Sequence, residues 1–588
     1  MTLRAKLLGM ALVALLAGVS GGARAQQAAD AVAPEASTRV EAKTAVRARR
    51  QMVVAANPIA AEAGLAVLRD GGSAADALVV VQTVLGLVEP QSSGIGGGGF
   101  LVWYDGATGT VTTIDGRETA PQSAAPDLFL GADGKPLAFF DAVVGGRSVG
   151  TPGIVRLMER IHADHGRKPW ADLFEPAARL AERGFAVSPR LAGLIAEDGE
   201  RLKGQPTTGS YFFDSAGAPL AAGARLSNAD YADTLRLIGR AGADAFYEGP
   251  IAQAIVAAVT AHPANPGKLA LEDLATYEAK ERPAVCAPYR DFDVCGMGPP
   301  SSGALAIGQI LGLLSGFDLG TLGPSDPHSW RLFGDATRLA FADRGRYVAD
   351  ADFVDLPEGL LDAGYLASRA ALLTRETALP ADLAGPGEPP WDKAELRLDG
   401  FGPDVPATTH FVIADAFGNV ASMTSSVENA FGARLMAAGF LLNNQLTDFS
   451  FSPEENGASV ANRVEPGKRP RSSMAPTIVL KDGRPAFALG SPGGSTIIPY
   501  VAQALIALID WRMDMQEAVT LPHLANRFGR YEVEAGTAAE ALTDDLAALG
   551  YEVRATDMNS GLHGIAFIEG GILEGGADPR REGVALGD

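Results

Sequence analysis

From Asn57 onward, apolar and polar positions fall into blocks with helical or strand spacing. Residues 60–68 read as a helix stopped by Gly71-Gly72, and a second helix opens at Ala74. A glycine-rich approach, 94–100, leads into the apolar strand 101–104; Asp105-Gly106 marks a turn, and a second strand runs through Ile114. Between 151 and 270 the spacing predicts helices near 153–163, 171–184, 226–240 and 249–261, punctuated by Pro, Gly and Asn. Further helices are predicted over 303–315 and from His328 to Tyr347. Two hairpins follow: 411–414 with 420–423 around Asp415 to Asn419, and 478–480 with 486–489 around Asp482-Gly483. Helices over 495–510 and 537–549, with short strands near 530–534, 551–554 and 564–574, complete the chain, and no internal repeat is visible. Strand pairs on both sides of helical blocks predict layered helices around a buried sheet, and the near-continuous apolar strands fit a sheet covered on both faces.

Three stretches lack this patterning. Arg4 and Lys6 precede an apolar run from Leu7 to Val19, and Ala23-Arg24-Ala25 supplies a small-x-small site, so residues 1–25 read as an export signal cleaved after Ala25, with an uncleaved membrane anchor as the alternative. Export to the periplasm or the medium is expected, with no membrane span left after its removal. Residues 26–50 are Ala-rich and charged, like a mobile leader. Residues 376–407 are rich in Pro and Gly, like an exposed, cleavable connector. Cys286 and Cys295 flank a turn between two short strands. In an exported chain a bridge across that hairpin fits, and two small buried residues fit equally well.

The chain has 588 residues, 47% of them hydrophobic, and a formal net charge of −21 spread along its length. That excludes bulk disorder, and it argues against nucleic acid or an anionic membrane surface as partner. The tetraglycine 96–99 precedes a strand and lacks the Lys-Ser/Thr of a phosphate-binding loop. Gly490 to Ser495 lacks the Gly-x-Ser-x-Gly spacing of a nucleophile elbow, and the seven histidines form no metal-ligand pattern. No metal or cofactor is implied. What remains is Thr and Ser hydroxyls, glycine pairs, amides and carboxylates, which suits an N-terminal nucleophile. There a free α-amine with a pKa of about 8 takes the proton of the hydroxyl on its own residue.

Several motifs, in order from about residue 52 to the C-terminus, carry a resemblance to a known family. They are Asp115-Gly116-Arg117-Glu118, Thr408-Thr409-His410, Leu442 to Ser450, Ser472 to Thr477 and Gly490 to Ser495, with the early Gly96 to Phe100. Together they resemble the γ-glutamyltransferase (glutathione hydrolase) family. The resemblance implies an α/β (α+β) Ntn-hydrolase fold, a four-layer αββα sandwich, made as a proenzyme. It would cut itself between Ala407 and Thr408 into a large subunit, 51–407, and a small one, 408–588, that stay together as one intertwined unit. Thr408 would be nucleophile and base. Ser426 stands where family members usually have a Thr that bonds the nucleophile. The N–H groups of Gly493 and Gly494 would form the oxyanion hole.

Arg117, Ser472 and Ser473 would hold the α-carboxylate of a γ-glutamyl group, and Gln445 and Asp448 its α-ammonium. Glu428 stands where well-known members carry Asn; a carboxylate there can accept from an ammonium. His410 reads as structural. The implied substrates are γ-glutamyl compounds such as glutathione, with water or an amino acid or peptide as acceptor. Segment 449–471 is short and polar, which implies an open pocket and keeps a related acylase, of the cephalosporin type, as an alternative. A non-catalytic exported binding protein is a third reading, and it predicts an uncut chain.

Overall fold

The strand pattern becomes two seven-stranded antiparallel sheets in the computed structural model, which describes residues 41–391, 407–455 and 457–588. One sheet runs in the order Val584–Gly587, Met52–Ala55, Thr408–Ala414, Val420–Ser426, Gly98–Tyr104, Val111–Gly116, Lys280–Pro283. The other runs Val46–Ala48, Ile572–Ala577, His563–Ile568, Arg484–Gly490, Thr477–Lys481, Phe292–Gly296, Val285–Tyr289. Alternation along Thr408–Ala414 explains why an unbroken apolar run forms a strand: Val412 and Ala414 pack between the sheets with Val54, Val102, Ile478 and Ile565. Phe411 and Ile413 point the other way, into a core shared with helices Pro58–Arg69, Ala74–Val88 and Ile154–His165. Helices Gly303–Leu314, Pro327–Tyr347 and Ile497–Ile509 cover the second sheet. The layers are those of an αββα sandwich.

Local chemistry sets the ends of these elements. Ser73 and Asp76 form a reciprocal capping box on helix Ala74–Val88, in which every residue but Gly86 is buried. Asp415 accepts from Ala74 N at 2.8 Å, tying the 415–419 turn to that helix. The first sheet is already formed at Gly98, earlier than its apolar residues show. A Cβ at Gly97 would lie 2.1 Å from Ser426 O, and one at Gly96 would lie 2.0 Å from Leu441 O, so side chains are excluded there. The stretch 564–574 is two strands, turned at Gly570 and Gly571, both at positive φ. Residues 537–549 hold a 3₁₀ turn, Ala538–Leu542, and a short helix, Thr543–Ala548.

Two expectations are sharpened. The end of the presumed mobile leader is fixed: Val46–Ala48 pairs with Ile572–Ala577, and Lys43 Nζ donates to the carbonyls of Asp578, Arg581 and Gly583. Its earlier part, with the export signal, lies outside the described residues. The start of the presumed exposed connector is tethered to helix Pro327–Tyr347, because Leu379 N donates to Asp335 and Gly387 N to Asp343. Residues 392–406 lie outside the described residues. Cys286 and Cys295 face each other across the Val285–Tyr289 and Phe292–Gly296 hairpin and form a disulfide.

Candidate active site

Thr408 opens a strand in the middle of the first sheet, opposite Ser426 in register, with the chain still continuous through the buried Ala407. The hydroxyl hydrogen bonds here run in one direction. Thr408 Oγ1 donates to Ser426 Oγ at 3.3 Å, and Ser426 Oγ donates to Ala407 O at 2.8 Å. Glu428 N also donates to Ser426 Oγ, at 2.8 Å, so the one proton of that hydroxyl is committed to the Ala407 carbonyl. From behind, Arg581 Nη1 donates to Thr408 O at 3.0 Å. The Thr408 hydroxyl therefore belongs to the residue just after the Ala407–Thr408 peptide bond, and a second hydroxyl, that of Ser426, polarises that bond's carbonyl.

Thr408 and Ser426 share one cavity with Arg117, Glu428, Gln445 and Asp448. Ser472, Ser473 and Gly494 line it too, joined by Met474 and Ile497, which the sequence did not single out. The cavity encloses only about 20 Å³, far below the few hundred Å³ of a ligand pocket, so the uncut chain leaves no room for an amino acid. Gly493, at φ 136°, stands just outside this lining and precedes Gly494, at φ 57°. The pair turns the chain into Gly494–Thr496 and helix Ile497–Ile509, whose N-terminal end favours negative charge. A Cβ at Gly493 would come within 2.9 Å of Thr496 Oγ1.

Arg117 is fully buried, although its sequence context reads as an ordinary loop. Its Nη2 pairs with Asp448 Oδ2 and donates to Arg471 O at 3.2 Å, and its Nε donates to Pro470 O at 3.3 Å. Nη1 has no hydrogen-bond partner and lies 3.8 Å from Glu118 Oε2. Burial pushes the Glu118 carboxyl up to about 8, which the Arg117 charge only partly offsets. Segment 449–471 is not a loose polar loop. Its carbonyls hold Arg117, Phe449, Phe451 and Val464 pack against Phe129, and Lys468 is buried with Nζ on Ala461 O.

The serine side of the cavity is also framed. Ser302 Oγ donates to Ser472 O at 2.7 Å, and Arg344 Nη2 donates to Ser473 Oγ at 2.6 Å, which leaves the Ser473 proton for another acceptor. Gln445 Oε1 and Glu428 Oε1 are buried without hydrogen-bond partners. Burial, and after it the like charge of Asp448, holds the Glu428 carboxyl well above the ordinary range; Asn444, whose Nδ2 donates to Oε2, pulls the other way. His410 is buried with Nδ1 on Thr424 Oγ1 at 2.9 Å, and burial depresses its pKa far below the usual value. Sequence reasoning missed Arg581 and Arg344, which act 173 and 129 residues from their partners and carry no local signal. Asn444 lies inside the Leu442 to Ser450 motif, but that motif alone assigns it no role.

Among the described residues no helix is long and apolar enough to cross a membrane, and no group of side chains is arranged to hold a metal ion. A family profile described as Gamma-glutamyltranspeptidase matches residues 60–588. The chain is 36% identical over 548 residues to a glutathione hydrolase proenzyme of Bacillus subtilis, covering 91% of each. It is also 36% identical to an acylase ACY 1 proenzyme of a Pseudomonas species, covering 91% of this chain and 93% of that one. A crystal structure of a cephalosporin acylase from Bacillus halodurans superposes with a TM-score of 0.81 at 26% identity, covering 93% of this chain and 97% of that one. With the profile matching nearly the whole chain, and a relative 36% identical over 91% of it, the protein belongs to the gamma-glutamyltranspeptidase family.

Proposed function

We propose that the protein is an exported γ-glutamyltransferase and glutathione hydrolase, matured by self-cleavage between Ala407 and Thr408. In maturation, Thr408 Oγ attacks the Ala407 carbonyl carbon and the acyl group moves from nitrogen to oxygen. Water then hydrolyses the ester, leaving the Ala407 carboxylate and the Thr408 α-amine. Ser426, already donating to that carbonyl, stabilises the oxyanion formed on the way. Ser426→Ala is expected to slow cleavage about 10²-fold or more, on the scale of one lost oxyanion donor, and Ser426→Thr to preserve it. A time course on denaturing gels measures this.

In turnover the neutral Thr408 amine takes the proton of Thr408 Oγ, which attacks the γ-carbonyl of the donor. The Gly493 and Gly494 N–H groups receive the oxyanion, and the leaving amine departs with the proton. Water or an acceptor amine then opens the γ-glutamyl ester. Activity rises with pH as that amine, with an ordinary pKa of about 8, becomes neutral.

Arg117 carries the substrate reading: a fully buried guanidinium lines the cavity of the nucleophile, paired with Asp448 and with its Nη1 in no hydrogen bond. A group bearing both a carboxylate and an ammonium matches that pair; a glutaryl group has nothing for Asp448. Release from a γ-glutamyl anilide should therefore exceed release from its glutaryl analogue, and faster glutaryl turnover would replace this reading with the acylase one. The acylase relative and the acylase superposition make that comparison worth running.

A further inference from the structure

The γ-glutamyl reading leaves one group unassigned in its protonation. We propose that Glu428 works as a neutral carboxylic acid that donates a hydrogen bond into the donor cavity, while Asp448 alone supplies the negative charge there. The inference rests on the donor reading above and goes beyond it, because an ionised Glu428 would instead be a second partner for the ammonium.

Glu428 is held in place from its backbone outward. Its φ is 80°, a conformation that non-glycine residues adopt at a cost, and its N–H is on Ser426 Oγ. Asn444 fixes which carboxyl oxygen carries the proton. Asn444 Oδ1 accepts from Asn429 N at 2.9 Å, so its amide nitrogen must face Glu428 Oε2. Oε2 is therefore an acceptor, and the proton belongs on Oε1, which is buried and has no hydrogen-bond partner.

The charges around the carboxyl lead to the same state. Two cations act on it, Arg117 and Arg434, and both are committed elsewhere. Arg117 pairs with Asp448; Arg434 pairs with Asp198 at 2.7 Å and donates to Asn429 Oδ1 and Gly432 O. Gln445, Ser472 and Ser473 are uncharged, and Glu118 is a second buried carboxyl behind Arg117. The Thr408 amine joins the cavity after cleavage and is neutral in its active form. A bound γ-glutamyl group adds one carboxylate and one ammonium, which Arg117 and Asp448 balance. Arg344 reaches the cavity only through Ser473 Oγ, so among the described residues no cation pairs with an ionised Glu428, whose 3% exposure gives it almost no water. Burial and the neighbouring Asp448 charge raise its pKa, in agreement.

The test compares self-cleaved wild type, Glu428→Gln and Glu428→Met on a γ-glutamyl anilide between pH 6 and 10. Gln keeps a neutral donor, so KM should stay within about threefold of wild type at neutral pH. Met removes the donor and should raise KM by about tenfold, the scale of one buried hydrogen bond. KM should rise at alkaline pH in both wild type and Gln as the donor's own ammonium loses its proton, and the rise should be steeper in wild type, where Glu428 ionises as well. A Gln variant with KM up tenfold or more, no better than Met, would overturn the proposal in favour of an anionic Glu428. Wild type gives an independent readout through calorimetry of L-glutamate binding at pH 6.5 in two buffers of different ionisation enthalpy. Compared with Glu428→Gln, in which the Thr408 amine contributes equally, wild type should exchange the same number of protons, and about one proton more released by wild type would overturn the proposal. Wild type that turns over only the glutaryl anilide would overturn the donor reading itself, a distinct outcome.

Discussion

Thr408→Ala is expected to leave one full-length chain, without a new N-terminus and without turnover. The substitution deletes the hydroxyl that attacks the Ala407 carbonyl, and with it the only route by which the residue gains the free amine that later serves as base. Both losses are chemical, because a methyl group fits a strand position that is 4% exposed and packed on both sides. The fold should persist. Denaturing gels after prolonged incubation, N-terminal sequencing and an anilide assay read the outcome. Residual activity would show that another residue is the nucleophile, and a cut chain in the variant would show that cleavage does not use this hydroxyl. A wild-type chain that never cuts would favour the non-catalytic binding protein.

Arg117→Lys should give a chain that still cuts itself but binds its donor poorly, losing roughly 10²–10³-fold in kcat/KM, or about 3–4 kcal/mol. Lys keeps the charge and not the fork. Arg117 now donates at once to Pro470 O, Arg471 O and Asp448, with Nη1 to spare. An ammonium can satisfy some of these acceptors only by abandoning the free edge. The loss should fall on KM more than on kcat, since the group contacts the non-reacting end of the donor. Equal losses in both would indicate that Arg117 also positions Thr408. An unchanged glutaryl rate alongside a lost γ-glutamyl rate would argue that the two acyl groups bind through different residues.

Much of the fold was legible because its strands obey simple alternation. Phe411, Val412, Ile413 and Ala414 face two different cores, and nothing but a strand between two layers satisfies them. The glycine stretch before Phe100 was not legible as strand. Its lack of side chains answers to Ser426 O and Leu441 O, contacts that local spacing cannot announce. The site was legible only through motif resemblance. Arg117 and Asp448 look like ordinary polar loop residues until Pro470 and Arg471 close over them. Arg581, which holds the Thr408 carbonyl, arrives from 173 residues away. The firmness of segments 41–50 and 376–391 was hidden in the same way, since Lys43, Leu379 and Gly387 are anchored by main-chain and carboxylate partners far along the chain.

The strand that begins at Thr408 lies third in a sheet of seven, between Met52–Ala55 on one side and Val420–Ser426 on the other. Under the proposed cut, both products supply strands to both sheets and helices to the layer over the second sheet, while the helices over the first sheet come from the large product. Folding the precursor is a one-molecule event; rebuilding the mature enzyme from its unfolded parts would require two chains to meet and interleave. Cutting thus removes the means by which the shape was first reached. The mature protein would persist because it opens slowly, with no ready return once opened.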